Sequence, residues 1–321
     1  MNVLLVGAGG MGSAHYRNYQ EIPEAHVQAL VGRSDADREA GKRWGLPVYQ
    51  TITEAAGREP VEIADLCVPT YLHETLAVEA FGNGLHVITE KPCALSRKSA
   101  ENMFRAAGAA GKQLYVAQVV QFTRETEVLR EIVRSERYGR PLDGVFERLS
   151  AKPAWIQGGW LFEKEKSGLL PFDLHIHDLD LIVSLFGEPE SYHVVPCAEN
   201  QGLKDHLRVE YTWRNGMTAC GEAAWFNACV PFTARWRVYF EKGMVIFDGR
   251  EVTGYAAGGE TTVFDTADPV QIAGGVNLPA NGWFFRELSH FLSCAERNEP
   301  SPLVPESQVL AVLSVLEKMP S

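Results

Sequence analysis

The sequence lacks several features that would each assign a protein to a broad class. It contains no apolar run near the ~18 residues that a membrane span needs, and no internal repeat or low-complexity segment. Basic residues are the minority, with 30 Lys and Arg against 41 Asp and Glu and a net charge of -11. A nucleic-acid ligand is therefore not expected, because contacts to phosphates need a basic face.

The six cysteines form no CxxC pair, and the first residues show no leader. Cysteines with this spacing are typical of reduced, mostly buried thiols. The opening MNVLLVGAGG begins directly in a strand-like run and lacks the basic region and long apolar region of a signal peptide. These absences predict a cytoplasmic protein.

The first part of the chain alternates short apolar runs with helix-like segments. The apolar runs cover 3–6, 27–31, 63–68, 85–88 and 114–117, and the helix-like segments include 73–82 and 96–110. Strands that are apolar throughout and separated by helices indicate a parallel sheet covered on both faces. We expect an α/β fold, with a doubly wound Rossmann domain over 1–121.

The pattern changes after this point. A helix-like segment at 123–135 precedes a possible strand at 142–152, and 191–265 resembles consecutive strands with RNG and EKG at hairpin turns. Helical patterns return at about 281–297 and 307–317. The second domain, 122–321, is therefore predicted as α+β, with a large open, mainly antiparallel sheet.

A glycine loop follows the first apolar run. Gly7, Gly9 and Gly12 in VLLVGAGGMG have G-x-G-x-x-G spacing, after a strand and at the start of a helical segment. The first glycine makes the turn, the second lets a pyrophosphate approach the backbone, and the third packs the helix on the strand. The helix N-terminus then faces the phosphates. This context predicts a dinucleotide site, although a tight turn without a ligand has the same spacing.

The end of the second strand bears on the choice between NAD and NADP. An NAD-binding fold often places an acid there, about 20 residues on, to hold the ribose hydroxyls. Gly32 stands at that position and is followed by Arg33 and Ser34. A cation without an acid favours the 2′-phosphate of NADP. The alternative is that Arg33 is a solvated charge and that Asp35 binds the ribose of NAD.

Lys91 lies in HVITEKPCALS, just past an apolar strand, where open α/β sheets bind ligands. A lysine at that edge can donate a proton or stabilise an alkoxide. The alternative is a surface lysine in a turn. We expect a cis Lys91–Pro92 bond, because proline lowers the cost of the cis form to roughly 0.5–1 kcal/mol.

Taken together, these motifs resemble the glucose–fructose oxidoreductase / inositol dehydrogenase (Gfo/Idh/MocA) family of NAD(P)-dependent oxidoreductases. The matching stretches are GAGGMG, CVPTYLHE, EKP, DLHIHDLD at 173–180 and the closing ELSHFLSCAERNEPSPLVPES. The resemblance spans almost the whole chain. It implies a Rossmann domain, a second domain whose sheet often mediates oligomers, and oxidation or reduction of sugars and polyols.

The resemblance also assigns roles to residues. His177 would take the proton from a substrate hydroxyl, Asp173 would orient that imidazole, and Lys91 would complete the catalytic group. Residues predicted to bind the cofactor are Gly7, Gly9, Gly10, Met11, Gly12, Arg33, Ser34, Pro69, Thr70, His73, Glu90 and Lys91. Residues predicted to bind the substrate are Lys91, Gln118, Trp155, Trp160, Asp173 and His177.

Three other interpretations of the octet 173–180 remain open. His175 and His177 would share a face on a strand and could then bind zinc, but LDLIVSLF downstream has a helical pattern. His175 alone is better explained by capping or packing. The octet could also be a polar helix start without chemistry. Four residues apart on a helix, Asp173 and His177 would share a face, with Asp180 a turn further. No metal is expected.

Two positions depart from the family pattern and leave the substrate open. Gln121 stands where many relatives have Arg, and Trp283 where many have Tyr. The loop KPAWIQGGW offers Trp155 and Trp160, whose indole faces can cover the C–H face of a sugar, although core packing explains such aromatics equally well.

The sequence thus predicts an NADP-preferring sugar or polyol oxidoreductase that forms a homodimer or homotetramer through its second sheet. Two alternatives remain. One is a glycoside-processing enzyme that oxidises its substrate transiently and recycles the nicotinamide. The other is a nucleotide-binding regulator without activity, which the presence of Lys91, Asp173 and His177 disfavours.

Overall fold

The structure is a computed structural model that describes residues 1–154, 157–195, 197, 205–273 and 280–319. The chain divides into two compact units. The first unit comprises Met1–Phe122 and Asp268–Leu310, and the second comprises Thr123–Ala267 and Ala311–Ser321. The sequence placed the whole of 122–321 in the second domain. The structure instead packs helix 283–296 on the helix that follows the glycine loop, because its buried face is apolar apart from Glu287.

The first unit is built on a six-stranded sheet in which all neighbouring strands are parallel. Its strands are β1 (Asn2–Val6), β2 (His26–Val31), β3 (Val48–Tyr49), β4 (Ile63–Leu66), β5 (His86–Glu90) and β6 (Leu114–Ala117). Its helices are α1 (Gly10–Tyr19), α2 (Asp35–Trp44), α3 (Ile52–Ala56), α4 (His73–Gly82) and α5 (Arg97–Ala109). The strand order is β3-β2-β1-β4-β5-β6, the doubly wound order predicted for a Rossmann domain.

The apolar strands form the centre of this unit. Every residue of β4, β5 and β6 is buried, as expected for parallel strands covered on both faces. Gly84 and Gly111 follow helices α4 and α5 with φ of 73° and 65°. They confirm the predicted helix ends, because glycine adopts this left-handed conformation readily.

The second unit contains an eight-stranded sheet. Its helices are α6 (Arg124–Arg134), α7 (Lys164–Ser167) and α8 (Ile176–Phe186). Its strands are β7 (Pro141–Ala151), β8 (Ser191–Val195), β9 (His206–Thr212), β10 (Thr218–Phe226), β11 (Thr233–Phe240), β12 (Gly243–Phe247), β13 (Val252–Ala256) and β14 (Thr261–Phe264). The order is β14-β13-β12-β11-β7-β10-β9-β8, and all pairs except β7–β10 are antiparallel.

One face of this sheet is buried and the other is exposed. Burial alternates along β9, as period-two side chains require. The RNG and EKG turns join β9 to β10 and β11 to β12, as predicted. Two further helices complete the chain, α9 (Trp283–Glu296) in the first unit and α10 (Glu306–Leu316), which crosses the division between units. None of the helices within the described ranges has the length and apolarity that a membrane crossing requires.

Candidate active site

The glycine loop has the geometry that a dinucleotide site needs. Gly7 has φ +91°, and a Cβ there would lie 2.6 Å from the carbonyl oxygen of Cys67. A Cβ on Gly12 would lie 2.0 Å from the carbonyl oxygen of Gly7, so only glycine fits. Gly9 faces open space. Helix α1 begins at Gly10 with no side-chain cap and no acid in its first turn, and its free N–H groups favour an anion.

A carboxylate that was not predicted from the sequence, that of Asp37, lies beside this loop. Asp37 Oδ1 accepts a hydrogen bond from the backbone N–H of Ala8 at 3.0 Å. Asp37 Oδ2 accepts from the Ser34 backbone N–H at 2.9 Å and from Ser34 Oγ at 2.6 Å, in a capping box at the start of α2. A Cβ on Gly32 would lie 2.4 Å from the Asp37 side chain. Asp37 therefore occupies the space that the missing side chain of Gly32 leaves open.

The two residues predicted to hold a 2′-phosphate have local partners. Arg33 Nε donates to the carbonyl oxygen of Gln50 at 3.1 Å. Ser34 is the N-cap of α2. Asp35, the alternative ribose ligand, is exposed and forms an ion pair with Arg38.

The ends of β4 and β5 are tied together by His73. Its Nδ1 lies 3.0 Å from the carbonyl oxygen of Pro92, and its Nε2 lies 2.9 Å from that of Val68. Burial lowers the pKa of His73 despite these two carbonyl groups, so one ring nitrogen donates a hydrogen bond in the neutral form. The Lys91–Pro92 bond is cis, as predicted. Lys91 is half-buried directly after β5.

A buried cluster of ionisable side chains lies behind this strand end. His15 Nδ1 and Asp65 Oδ2 are 2.8 Å apart, and both side chains are fully buried. The other imidazole nitrogen, Nε2, lies 3.1 Å from Glu90 Oε1, although not at a hydrogen-bonding angle. Glu90 Oε2 accepts the backbone N–H of Lys91 at 3.1 Å. Tyr19 Oη donates to Asp65 at 2.9 Å.

His15, Asp65 and Cys67 each have one side-chain atom of a kind that can bind a metal ion, and these three atoms lie within 4.8 Å of one another. None of the three was predicted as a site residue. An aspartate inside the otherwise apolar run of β4 was the signal that could have revealed the cluster, because a buried charge needs a partner. Burial and then Asp65 raise the pKa of the Cys67 thiol, so this cysteine is held as a neutral thiol.

Other predicted residues lie at the same edge of the first sheet. Pro69 and Thr70 begin a 3₁₀ turn after β4. Gln118 follows β6 and is buried, and its Oε1 has no hydrogen-bond partner among the described residues. Gly10 and Met11 form the first residues of α1.

The octet 173–180 does not form a regular α-helix throughout. Residues Pro171–His175 form a π-helical turn that leads into α8. Two residues with left-handed backbone precede it, Gly168 at φ 74° and Leu169 at φ 63°. The expectation of a plain helix over Asp173–His177 is corrected here. Inserted π turns often occur at functional sites.

Burial separates the members of the octet. Asp173 and His177 are half-buried, whereas His175, Asp178 and Asp180 are buried. His175 Nε2 lies 2.6 Å from Tyr211 Oη, and the two rings are stacked. Burial and then Arg148 lower the pKa of His175 to about 3. His175 is therefore a buried packing residue, as predicted from the sequence.

The same helix is fixed to the sheet by a buried ion pair. Arg148 of β7 donates two hydrogen bonds to the Asp178 carboxylate, at 3.1 and 2.9 Å. Asp173 and His177 thus stand on a rigidly packed element. Trp160 is partly buried in a short 3₁₀ segment of the same unit, whereas Trp155 lies outside the described residues. Lys91 belongs to the first unit, and Asp173 and His177 belong to the second.

A glycine loop opening on an uncapped helix, in a parallel sheet of this order, defines a dinucleotide-binding α/β protein. The family described as "Oxidoreductase family, NAD-binding Rossmann fold" matches residues 1–118. The family described as "GFO/IDH/MocA C-terminal domain" matches residues 126–246. The chain belongs to the GFO/IDH/MocA family, which confirms the resemblance and the predicted fold class.

Two curated relatives carry names of sugar or polyol dehydrogenases. D-apiose dehydrogenase from Paraburkholderia graminis is 25% identical over 256 residues, covering 78% of this chain and 65% of the relative. Inositol 2-dehydrogenase from Corynebacterium glutamicum is 26% identical over 254 residues, covering 76% of this chain and 72% of the relative. The chain spans between 46% and 65% of the length of the first three curated relatives it matches.

The fold also matches solved structures along nearly the whole chain. Levoglucosan dehydrogenase in complex with NADH and levoglucosan superposes with a TM-score of 0.83 at 20% identity, covering 98% of this chain and 95% of that one. At this identity the likeness shows the fold alone.

Proposed function

We propose that this protein is an NAD-dependent oxidoreductase that transfers a hydride between a sugar or polyol and the nicotinamide. The observation that carries the proposal is the position of Lys91. It directly follows β5, at the edge of the sheet where β1 leads into the glycine loop. Open α/β sheets bind ligands at this edge. The names of the two dehydrogenase relatives support a carbohydrate substrate.

The residues of the first unit fit a dinucleotide. The open space at Gly9 admits a pyrophosphate, and the uncapped N-terminus of α1 would bind its charge. Pro69, Thr70 and His73 line the turn after β4. The amide oxygen of Gln118, which has no partner in the described ranges, could accept a hydrogen bond from an amide or hydroxyl. When bound, the nicotinamide supplies the hydride acceptor or donor.

The chain's own residues would handle the proton. In the oxidation direction, the His177 imidazole takes the proton of the substrate hydroxyl. Asp173 orients that ring from the π-helical turn. The Lys91 ammonium donates a hydrogen bond to a substrate oxygen and stabilises the negative charge that develops on it.

The position of Asp37 leads us to propose NAD as the cofactor, whereas the sequence alone favoured NADP. Its carboxylate is fixed beside the glycine loop by Ala8 and Ser34. A carboxylate there can accept hydrogen bonds from ribose hydroxyls and repels a 2′-phosphate. Arg33 and Ser34 remain the residues that would bind that phosphate if NADP is used.

We also propose that the second sheet forms the interface of a homo-oligomer. Its strands expose large apolar side chains, including Tyr239, Tyr255 and Val263, with 47%, 44% and 60% of their surface accessible. Exposed apolar groups on one sheet mark an interaction surface. Sedimentation should show a dimer or tetramer that Tyr239→Glu weakens, and a monomeric wild type would contradict this. A cytoplasmic location stays a prediction.

The test of the reaction is turnover on a panel of sugars and polyols with NAD and NADP. Lys91→Ala and His177→Ala should each lower kcat by roughly 10²–10⁴-fold while NADH binding persists. Lys98→Ala and His193→Ala are matched controls at exposed positions and should retain wild-type rates. Wild-type turnover in the Lys91 or His177 variant would contradict the assignment.

The test of the cofactor is a titration of NADH and NADPH. Asp37→Asn should tighten NADPH binding and weaken NADH binding, each by about tenfold, the equivalent of about 1.4 kcal/mol. Asp35→Asn removes an equal charge two residues away and should change neither. Wild-type protein that binds NADPH more tightly than NADH would refute the choice of NAD and restore Arg33 as the selecting residue.

A further inference from the structure

Three carboxylates are buried around one histidine in the first unit. Asp65 and Glu287 are fully buried and Glu90 nearly so, and His15 is fully buried. Both oxygens of Glu287 lack a hydrogen-bond partner among the described residues. Helix α1 contributes the titratable groups of His15 and Tyr19, and α9 contributes Glu287. Strand β4 contributes Asp65, the segment directly after it contributes Cys67, and β5 contributes Glu90.

This arrangement cannot carry three full negative charges. A buried, unpaired carboxylate costs several kcal/mol, and such a group takes up a proton instead. A cationic His15 balances the charge of one carboxylate. Protonation of Glu287 removes the charge of a second, so the net negative charge of the cluster falls further. Glu287 has no hydrogen-bond partner within the described part of the chain, which agrees with this, because a neutral acid is less costly to bury than a carboxylate.

A bound metal ion is a weaker explanation of the same residues. Ligands in a tetrahedral zinc site are roughly 3.3 Å apart, given bonds of about 2.0–2.1 Å. His15 Nδ1 and Asp65 Oδ2 are 2.8 Å apart, and Tyr19 Oη lies 2.9 Å from the same oxygen. These are hydrogen-bond distances, which leave a shared proton rather than an ion between the groups.

The cluster extends to the residue proposed to act on the substrate. His15 Nε2 lies 3.1 Å from Glu90 Oε1, and Glu90 Oε2 accepts the Lys91 backbone N–H at 3.1 Å. The Phe284 ring of α9 packs against the His15 ring, with centroids 5.6 Å apart. The imidazole therefore has little freedom to turn. Glu90 Oε1 lies at ion-pair distance from the ring, without the angle of a hydrogen bond, and Glu90 Oε2 accepts the Lys91 N–H.

We propose that His15 is a positioning residue for Lys91: as an imidazolium between Asp65 and Glu90, it fixes the carboxylate that holds the Lys91 backbone, while Glu287 keeps a proton in the same cluster. The geometry of the cluster stands on its own, and only the catalytic consequence at Lys91 rests on the proposed function.

The pKa directions agree with this charge assignment. Burial alone lowers the pKa of His15, but the charge and the hydrogen bond of Asp65 raise that pKa well above its usual value. Burial, and then the nearby Glu90, raise the pKa of Glu287 well above its usual value.

Each raised pKa has the same consequence for stability. The folded state binds a proton that the unfolded state has released, so stability falls as pH rises. For Glu287 the loss begins above the unfolded pKa of 4.5, and for His15 above 6.5, and each ends at the higher folded pKa.

The first experiment tests whether Glu287 is protonated, by measuring stability against pH. Glu287→Gln mimics the protonated acid, so the variant should be at least as stable as wild type at pH 5, and its urea midpoint should fall less between pH 5 and 8. Glu296→Gln, at an exposed position on α9, should follow wild type. An equal loss of stability in Glu287→Gln at both pH values would overturn the assignment, as would a stoichiometric metal ion in the purified protein.

The second experiment follows Lys91 itself by NMR, with its amide resonance assigned through Lys91→Arg. In His15→Gln this resonance should shift, because the Glu90 carboxylate is released, whereas Glu296→Gln should leave it in place. An unchanged Lys91 resonance in a folded His15→Gln protein would overturn the positioning role.

The third experiment connects the cluster to turnover. His15→Gln should lower kcat by about ten- to a hundred-fold, the cost of a small misplacement of a catalytic group, with NADH affinity unchanged. In the Lys91→Ala background the same change should cost nothing more. Independent, multiplicative losses would contradict a route through Lys91. If wild type turns over no substrate, the proposed function fails, while the stability and NMR results still decide the inference.

Discussion

Two buried histidines, one in each unit, are in opposite charge states. His15 and His175 are both fully inaccessible. His15 contacts the carboxylate of Asp65, and its pKa is raised. Among the described residues, His175 has the hydroxyl of Tyr211 as its hydrogen-bond partner. Burial, and then the charge of Arg148, lower its pKa to about 3.

The difference shows that burial does not by itself set the charge of an imidazole. Desolvation disfavours the cation at both positions, and the side chains in contact determine whether that effect prevails. A carboxylate 2.8 Å away reverses it for His15, whereas a hydroxyl and an arginine do not for His175. In the first cluster His15 and Glu287 therefore keep their protons. In the second, the neutral His175 packs at the start of the helix that contains His177.

The largest effect is expected from breaking the ion pair that supports the second histidine. Arg148→Met leaves the Asp178 carboxylate buried without its partner and should lower the free energy of unfolding by about 3–5 kcal/mol. Arg235→Met, which breaks the exposed pair with Glu147, should cost about 0–1 kcal/mol. Urea unfolding at pH 7 gives the free energy of unfolding of both variants. If the two variants lost similar amounts, the buried pair would contribute no more to stability than the exposed one.

The next effect is acid destabilisation through His175. Its folded pKa of about 3 is below the usual 6.5, so the unfolded state binds more protons in between and stability is lost as pH falls through that window. The contribution is about 3 kcal/mol by pH 4. Because glutamine does not titrate, the urea midpoint of His175→Gln should fall less than that of wild type between pH 6.5 and 4. His193→Gln, at an exposed position, should show the same fall as wild type. If the urea midpoint of His175→Gln also fell as much as that of wild type, the imidazole would not be held neutral.

The smallest effect compares the two tyrosines that contact these clusters. Tyr19 donates to the Asp65 carboxylate, and Tyr211 meets the neutral His175. Hydrogen bonds to charged groups contribute about 1.5–3 kcal/mol, and those between neutral groups about 0.5–1.5 kcal/mol. Tyr19→Phe should therefore lower the free energy of unfolding more than Tyr211→Phe does. A larger loss of stability in Tyr211→Phe than in Tyr19→Phe would contradict the charges assigned to the two clusters.

The sequence predicted the parts of the fold that depend on local pattern. The apolar strands, the helices 73–82 and 96–110, and the two hairpin turns have signals within a few residues, and all are present. The segment 268–310 was assigned to the second domain, because its place in the first unit depends on packing between residues far apart in the chain.

The candidate site was predictable to the same extent. Gly7 and Lys91 directly follow strands, and Gly12 lies in the first turn of the helix after β1, so topology fixes their positions at the sheet edge. Asp37 escaped prediction because it reaches the glycine loop from the N-terminus of α2, three residues beyond Ser34 and outside the usual position. The π-helical turn before His177 begins at Pro171 and follows Gly168, but a glycine followed by a proline also precedes ordinary helices and so does not predict a π turn.

The most direct test of the proposed reaction follows the hydride itself. A polyol that supports turnover, deuterated at the carbon to be oxidised, is incubated with the protein and NAD, and the nicotinamide product is analysed by mass spectrometry. The account predicts deuterium in accumulating NADH, lost in Lys91→Ala and His177→Ala. Deuterium that returns to the sugar product, with no labelled NADH released, would contradict it and indicate a transient oxidation with a recycled nicotinamide.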